Sequence, residues 1–150
     1  MSNLLLGKVF SDFDSGIKYI EDFCIQNCHP IKHGSKTTVA QYNRKIRAES
    51  RKITELPESA IYSVRLECKH FGEFKSRSQH DNTNGKSRKR THFSRGCKFF
   101  VYLAWNRAGT EYAVKSCDMT HSHDVGANVF QLYPDNRYAY SIYYHCYVLH

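Results

Sequence analysis

The first patterned stretch of the chain spaces its apolar side chains three or four residues apart, as expected for an α-helix with one buried face. This spacing predicts an amphipathic helix over residues 11–28. Ser11 is a suitable N-cap, acidic residues follow it in the first turn, and Pro30 lies just beyond the expected end. The apolar positions of this face are Phe10, Phe13, Ile17, Ile20 and Cys24.

Four later segments show the alternation or the short apolar runs that are typical of β-strands. Residues 106–109 contain a glycine and predict the turn between the last two strands. Residues 46–59 are charged and contain a proline, so we expect a surface loop there. One helix followed by strands predicts an α+β fold. The strands are expected at residues 35–45, 61–69, 97–105 and 111–117.

Positive charge is concentrated in the middle of the chain. Residues 30–100 hold 17 of the 22 Lys and Arg residues but six of the 14 Asp and Glu residues. A localised basic surface favours a polyanion partner, most often nucleic acid. A solvated basic face explains the charge equally well, so charge alone leaves both interpretations open.

The most basic part of the chain is also the poorest in apolar side chains. Residues 75–95 contain many turn formers, which predicts a basic loop. The run at residues 86–90 suits a nuclear localisation signal or an arm that contacts phosphates, although a solvated hairpin loop is the plainer interpretation. We expect a nuclear location on this basis.

Neither a secretory signal peptide nor a membrane span is predicted. The start lacks the basic flank and the longer apolar stretch of a signal peptide, and the longest internal apolar run, residues 99–105, is too short to cross a bilayer. We therefore expect a soluble intracellular protein without a membrane partner. In a reducing compartment, six cysteines favour metal binding or free thiols over disulfides.

Cysteine and histidine side chains stand at the ends of the predicted strands. Cys68 closes the second strand and Cys97 opens the third, while His121 and His123 follow the fourth. The corresponding ends can meet at one edge of an antiparallel sheet, where a tetrahedral zinc ion would tie a small sheet together. Cys117 is an alternative ligand and His70 a weaker one. A second possible ligand cluster, Cys24, Cys28 and His29, is read more simply as core thiols beside a histidine.

The order of these elements resembles a known family. Cys68, a basic loop, Cys97 after an Arg-Gly pair, an apolar strand, a turn, another strand and His121-x-His123 are similar to the zinc-binding amino-terminal domain of Mutator-like transposases. Their domesticated relatives share the likeness, which covers roughly residues 8–135. These relatives are the far-red-impaired-response proteins, the FLYWCH domain, the amino-terminal domains of SWIM zinc-finger proteins and, more distantly, the WRKY and glial-cells-missing fold.

The resemblance implies a four-stranded antiparallel sheet over residues 35–123, one zinc ion, and binding of double-stranded DNA. It implies a role in transcription regulation or in recognition of transposon ends. The WRKY heptapeptide is absent, so no base-reading residue is carried over from that branch. No motif for an enzyme or for a small-molecule substrate is present, and we expect a binding module instead of an enzyme.

DNA contacts are expected from the first strand and from the basic loop, because alternate strand residues can enter the major groove while Lys and Arg neutralise phosphates. The strand candidates for base contacts are Lys36, Gln41, Asn43, Arg44 and Lys45. The loop candidates for phosphate contacts are Arg88, Lys89, Arg90 and Arg95.

A zinc-bound module for protein interaction, without DNA binding, is the alternative function. We expect residues 1–136 to form the domain and residues 137–150 to form an aromatic tail of unknown role. The tail can anchor a protein partner, support self-association, or add a strand. Its tyrosines are Tyr138, Tyr140, Tyr143, Tyr144 and Tyr147.

Overall fold

A computed structural model describes residues 5–73 and 94–136. Within them the chain forms five strands and three complete α-helices, and residues 134–136 are also helical. A short 3-10 helix, Glu49–Arg51, lies in the predicted surface loop. The strands are β1 (Val9–Phe10), β2 (Ile31–Thr38), β3 (Ile61–Cys68), β4 (Phe100–Asn106) and β5 (Glu111–Asp118). The helices are α1 (Phe13–Gln26), α2 (Val39–Lys45) and α3 (Ala127–Phe130).

The strands form one antiparallel sheet in the order β1-β5-β4-β3-β2. The predicted α+β class is confirmed, but the sheet has five strands where four were expected. The additional strand is β1, which pairs Val9 with Ala113 and Phe10 with Tyr112. Two residues are too few to show an alternating pattern, so this strand exists only through its pairing with β5.

The N-cap of helix α1 lies one residue later than predicted. Asp12, and not Ser11, is the N-cap: its carboxylate accepts hydrogen bonds from the Ser15 N–H at 2.8 Å and the Ser15 hydroxyl at 2.7 Å. Both bonds lower the pKa of the Asp12 carboxyl, and the bond from the Ser15 hydroxyl has the larger effect. The cap therefore also places a negative charge at the positive end of the helix dipole.

The predicted first strand, residues 35–45, is wrong in its second half. Strand β2 ends at Thr38, and α2 starts there through a capping box. The Gln41 N–H donates to the Thr38 hydroxyl at 3.2 Å, and the Thr38 N–H donates to the Gln41 amide oxygen at 3.1 Å. Of the five proposed base contacts, only Lys36 lies on a strand. The other four, which lie on α2, are Gln41, Asn43, Arg44 and Lys45.

The core lies between α1 and one face of the sheet. Ile20 and Cys24 of α1 are fully buried, and they belong to one cluster with alternate residues of three central strands. Gly16 lets the helix approach closely, since a Cβ there would lie 3.0 Å from a methyl group of Leu103. Burial raises the pKa of the Cys24 thiol to about 12, in keeping with a core thiol. The strand residues of this cluster are Val64, Leu66, Cys68, Val101, Leu103, Trp105, Tyr112 and Val114.

The predicted loop over residues 46–59 is confirmed, and side chains from elsewhere hold it. Asn43 donates through Nδ2 to the carbonyl of Ile53 at 2.8 Å and accepts the Ile53 N–H through Oδ1 at 2.8 Å. Arg107, from the turn after β4, donates to a Glu55 carboxylate oxygen at 2.7 Å and to the Ser50 carbonyl at 2.8 Å. The loop is thus fixed to both α2 and the sheet.

Across residues 5–73 and 94–136, every helix is too short or too polar to cross a membrane.

Replacing Asn43 by Ala is expected to lower the free energy of unfolding by about 2 kcal/mol or more, because both backbone groups of the buried Ile53 lose their partner. The exposed neighbour Arg44 provides the matched control, and Arg44→Ala should change stability by less than about 0.5 kcal/mol. Urea unfolding followed by circular dichroism measures both. Equal, small effects of the two variants would contradict a structural role for Asn43.

Candidate metal centre

Antiparallel pairing brings four chain segments to one end of the sheet. The end of β3 meets the start of β2, with Cys68 opposite Ile31, and the start of β4 meets the end of β5, with Phe100 opposite Asp118. Residues placed just before or just after these positions must therefore lie near one another. Cys97 precedes β4, and the two histidines follow β5.

The four predicted ligands lie together at this end of the sheet. One ligand atom from each of Cys68, Cys97, His121 and His123 lies within 4.8 Å of all the others. Sγ of Cys68 is 3.1 Å from Nε2 of His123, Sγ of Cys97 is 3.4 Å from Nδ1 of His121, and the two ring nitrogens are 3.2 Å apart. Two thiolates and two imidazoles around a tetrahedral ion have edges of roughly 3.3–3.8 Å at usual bond lengths. The cluster can therefore hold a metal ion.

The two cysteine loops are joined by backbone hydrogen bonds on either side of the ligands. The Cys97 N–H donates to the His70 carbonyl at 3.2 Å, and the Gly96 N–H donates to the Gly72 carbonyl at 2.9 Å. Gly72 and Gly96 have φ values of +75° and +74°, a conformation that favours glycine. This short ladder fixes the distance between Cys68 and Cys97 independently of the intervening residues, of which 74–93 lie outside the described part.

The Cys68 thiol is placed where its charged form needs compensation. Burial raises the pKa of this thiol to about 12, and the His70 N–H, 3.4 Å from Sγ, acts in the opposite direction. A bound cation deprotonates a coordinating thiol. Two thiolates and two neutral imidazoles together carry the charge that a divalent ion neutralises, which suits a site with two fully buried cysteines.

Both histidines direct a ring nitrogen into the cluster. The pKa of His121 is lowered to about 4. Burial is the largest cause, and the nearby rings of His29, His123 and His70 act in the same direction. Nδ1 of His123 donates to the Asp124 carbonyl at 2.9 Å, so its Nε2 presents a lone pair to the cluster. The His121 ring stacks on Phe99 at a centroid distance of 4.4 Å, and its Nε2 lies 3.0 Å from Nδ1 of His29.

The alternative ligands named from the sequence do not join this cluster. Among residues 5–73 and 94–136, the four residues above form the one group of three or more potential ligands. Cys117 is partly buried on β5 opposite Val101, and burial raises the pKa of its thiol. His70 is buried beside His123, with ring centroids 4.4 Å apart, and its Nε2 hydrogen-bonds the Tyr133 hydroxyl.

The segment after the ligands packs back onto the site. Phe130 of α3 is 2% exposed and Tyr133 is 8% exposed, and Tyr133 contacts His70. Lys69, next to Cys68, forms an ion pair with Asp135 at 3.0 Å. The sequence analysis named His70 only as a weaker alternative ligand and gave Tyr133 no role. Their pairing spans 63 positions and leaves no local pattern.

The predicted DNA contacts differ in their exposure and in whether the structure describes them. Lys36, Arg44, Lys45 and Arg95 are exposed. The amides of Gln41 and Asn43 are engaged with the backbone, as described above. Three proposed phosphate contacts and the aromatic tail lie outside the described residues, so their roles stay predictions. These are Arg88, Lys89, Arg90 and residues 137–150.

Comparison with protein-family models, with curated proteins and with solved structures found no match in any of the three.

Replacing His123 by Ala is expected to weaken metal binding by more than about 100-fold, since losing even an outer partner of a ligand costs 10–100-fold. Cys117→Ala is the control and should keep one ion per chain, because Cys117 stands outside the cluster. Native mass spectrometry after loading with Zn²⁺ counts the ions. Loss of the ion in the Cys117 variant and its retention in the His123 variant would show that the ligand set is wrong.

Proposed function

We propose that this chain is a zinc-stabilised DNA-binding domain. The observation that carries the proposal is the four-residue cluster of Cys68, Cys97, His121 and His123 at one end of the sheet. Paired thiolates and imidazoles at tetrahedral spacing suit Zn²⁺ better than Mg²⁺ or Ca²⁺, which prefer oxygen ligands.

The proposed role of the zinc is structural. Four protein ligands fill a tetrahedral site and leave no position for a reactive water. The ligands come from three separate loops at the strand ends, so one ion would cross-link all of them. An enzymatic role has no support among the residues described.

Exposed positive charge supports the DNA-binding part of the proposal. Between residues 30 and 52 the chain has seven Lys and Arg residues and a single acid, Glu49. Glu49 forms an ion pair with Lys52 at 2.7 Å, so the single acid of this stretch is already paired. A surface of this kind attracts phosphates. The exposed cations are Lys32, Lys36, Arg44, Lys45, Arg47 and Arg51.

The proposed contacts differ from those expected from the sequence. We assign DNA contacts to Lys36, Arg44 and Lys45, with Arg95 near the metal ligands as a further phosphate contact. Gln41 and Asn43 are left out of this assignment, because Oε1 of Gln41 accepts the Thr38 N–H in the capping box of α2 and the Asn43 amide holds the backbone of Ile53.

We further propose descent from the amino-terminal domain of Mutator-like transposases, with a nuclear role in transcription regulation or in recognition of transposon ends. The order of the four ligands and the strands between them support this relationship. A zinc-bound protein-interaction module is the second candidate. The exposed apolar side chains Val125 and Leu132, 39% and 70% accessible, favour it.

Removing zinc is expected to unfold the sheet. Structural zinc contributes about 10–16 kcal/mol in small zinc peptides, which equals or exceeds the whole stability of a typical domain, about 5–15 kcal/mol. Circular dichroism and amide proton dispersion, recorded during titration with a chelator, measure the loss. A sheet that persists after exhaustive chelation would contradict the structural role.

DNA binding should weaken steeply with salt, and the double variant Arg44→Ala/Lys45→Ala should reduce the slope of log K against log salt by about 2 if both side chains contact phosphates. Lys18→Ala, an exposed change on α1, is the control and should leave the slope unaltered. Fluorescence anisotropy with duplex DNA at several salt concentrations gives the slopes. Equal slopes for wild type and both variants would remove α2 from the interface, and absence of binding at low salt would favour the protein-interaction module.

A further inference from the structure

His29 joins the end of α1 to the metal centre. Its N–H donates to the Cys24 carbonyl at 2.8 Å, and the next residue, Pro30, accepts the Lys69 N–H at 2.8 Å. The backbone on both sides of His29 is therefore held, by the helix on one side and by the Cys68 loop on the other. Its ring is held too, since it lies 4.8 Å from the Phe99 ring between centroids.

This fixed ring faces the outer nitrogen of a proposed ligand. Nδ1 of His29 lies 3.0 Å from Nε2 of His121. The other nitrogen of His121, Nδ1, points into the cluster and lies 3.4 Å from the sulfur of Cys97. A nitrogen that binds a metal must carry a free lone pair, so the proton of His121 has to sit on Nε2. An acceptor at the position of His29 Nδ1 stabilises that arrangement.

The second histidine ligand has an equivalent acceptor. His123 donates from Nδ1 to the carbonyl of Asp124, its neighbour in sequence. Outer acceptors of this kind fix the tautomer and the orientation of metal-binding imidazoles. For His123 the backbone supplies the acceptor, whereas for His121 a side chain 92 positions away does so.

We propose that His29 is a positioning residue of the metal site, which holds His121 in the tautomer that binds through Nδ1 and ties α1 to the bound ion. This rests on the proposed zinc site. It also replaces the alternative in which His29 binds a metal together with Cys24 and Cys28. Cys24 is buried in the core, and the His29 ring faces the candidate ligand His121.

Three variants test the proposal. His29→Leu removes the acceptor, and it should release zinc to a chromogenic chelator about 10- to 100-fold more readily than wild type. His29→Asn should stay within a few-fold of wild type, because its Oδ1 can take the place of Nδ1. His33→Leu is the matched control: His33 is exposed, bonds Glu21 on α1, and should leave zinc release unchanged.

Cobalt substitution provides a readout that general destabilisation does not move. The visible d–d bands of bound Co²⁺ should shift in His29→Leu and match wild type in His29→Asn, because they report the geometry at the ion. If His29→Leu does not fold, the comparison of His29→Gln with His29→Asn takes its place. Glutamine carries its amide at the position of Nε2, so stronger retention by Asn than by Gln supports the proposal.

Two kinds of failure can be told apart. A wild type that binds zinc, with His29→Leu retaining it equally well, overturns the role of His29 alone. Equal weakening in His29→Leu and His29→Asn, or in Gln and Asn, also overturns it, because the acceptor is then not what matters. A wild type that folds without binding zinc overturns both the zinc proposal and this one.

Discussion

The arrangement at one end of the sheet depends on how the lone pairs of four ligand atoms are compensated. The facing nitrogens of His121 and His123 are 3.2 Å apart, and two sulfurs lie beside them in buried positions. Without a cation, facing lone pairs repel one another, and burial keeps the Cys68 thiol protonated by raising its pKa to about 12. A divalent ion at the centre would turn the same geometry into four favourable bonds. In the proposed zinc-bound form, the metal would therefore be part of the folded state instead of an addition to it.

Much of the surrounding structure serves to bring these ligands together. The hydrogen-bonded ladder between residues 70–72 and 95–97 sets the spacing of the cysteines, and β5 delivers the histidines. On the other side, Tyr133 packs against His70, which contacts His123. The site is thus supported from the helix end, from the strand ends and from the segment that follows it. A change at any of these supports should alter the positions of the candidate ligands, since rigid outer partners orient metal ligands.

The basic surface has a different physical origin. Its charges lie on β2, α2 and the short 3-10 helix, where exposed Lys and Arg alternate with residues that maintain the backbone. Gln41 and Asn43 look like base readers in a list of polar side chains, but the Gln41 amide oxygen and both ends of the Asn43 amide already have backbone partners. The amides therefore stabilise the backbone of this surface, and the cations remain exposed on it. Nucleic-acid recognition by such a surface would begin with phosphates.

The sequence by itself determined the α+β class, helix α1 and the three central strands, and it named the four residues of the candidate metal cluster with Cys117 and His70 as alternatives. These follow from local rules: helical spacing, apolar runs, and ligand types placed at strand ends. It did not determine β1, the start of α2, or the place of His29. Strand β1 is defined only by its pairing with β5. At the start of α2, the capping box of Thr38 and Gln41 outweighs a weak alternation of polar and apolar residues that favours a strand. His29 reaches His121 because β2 starts where β3 ends, and strand order is a property of the assembled sheet that no local pattern contains.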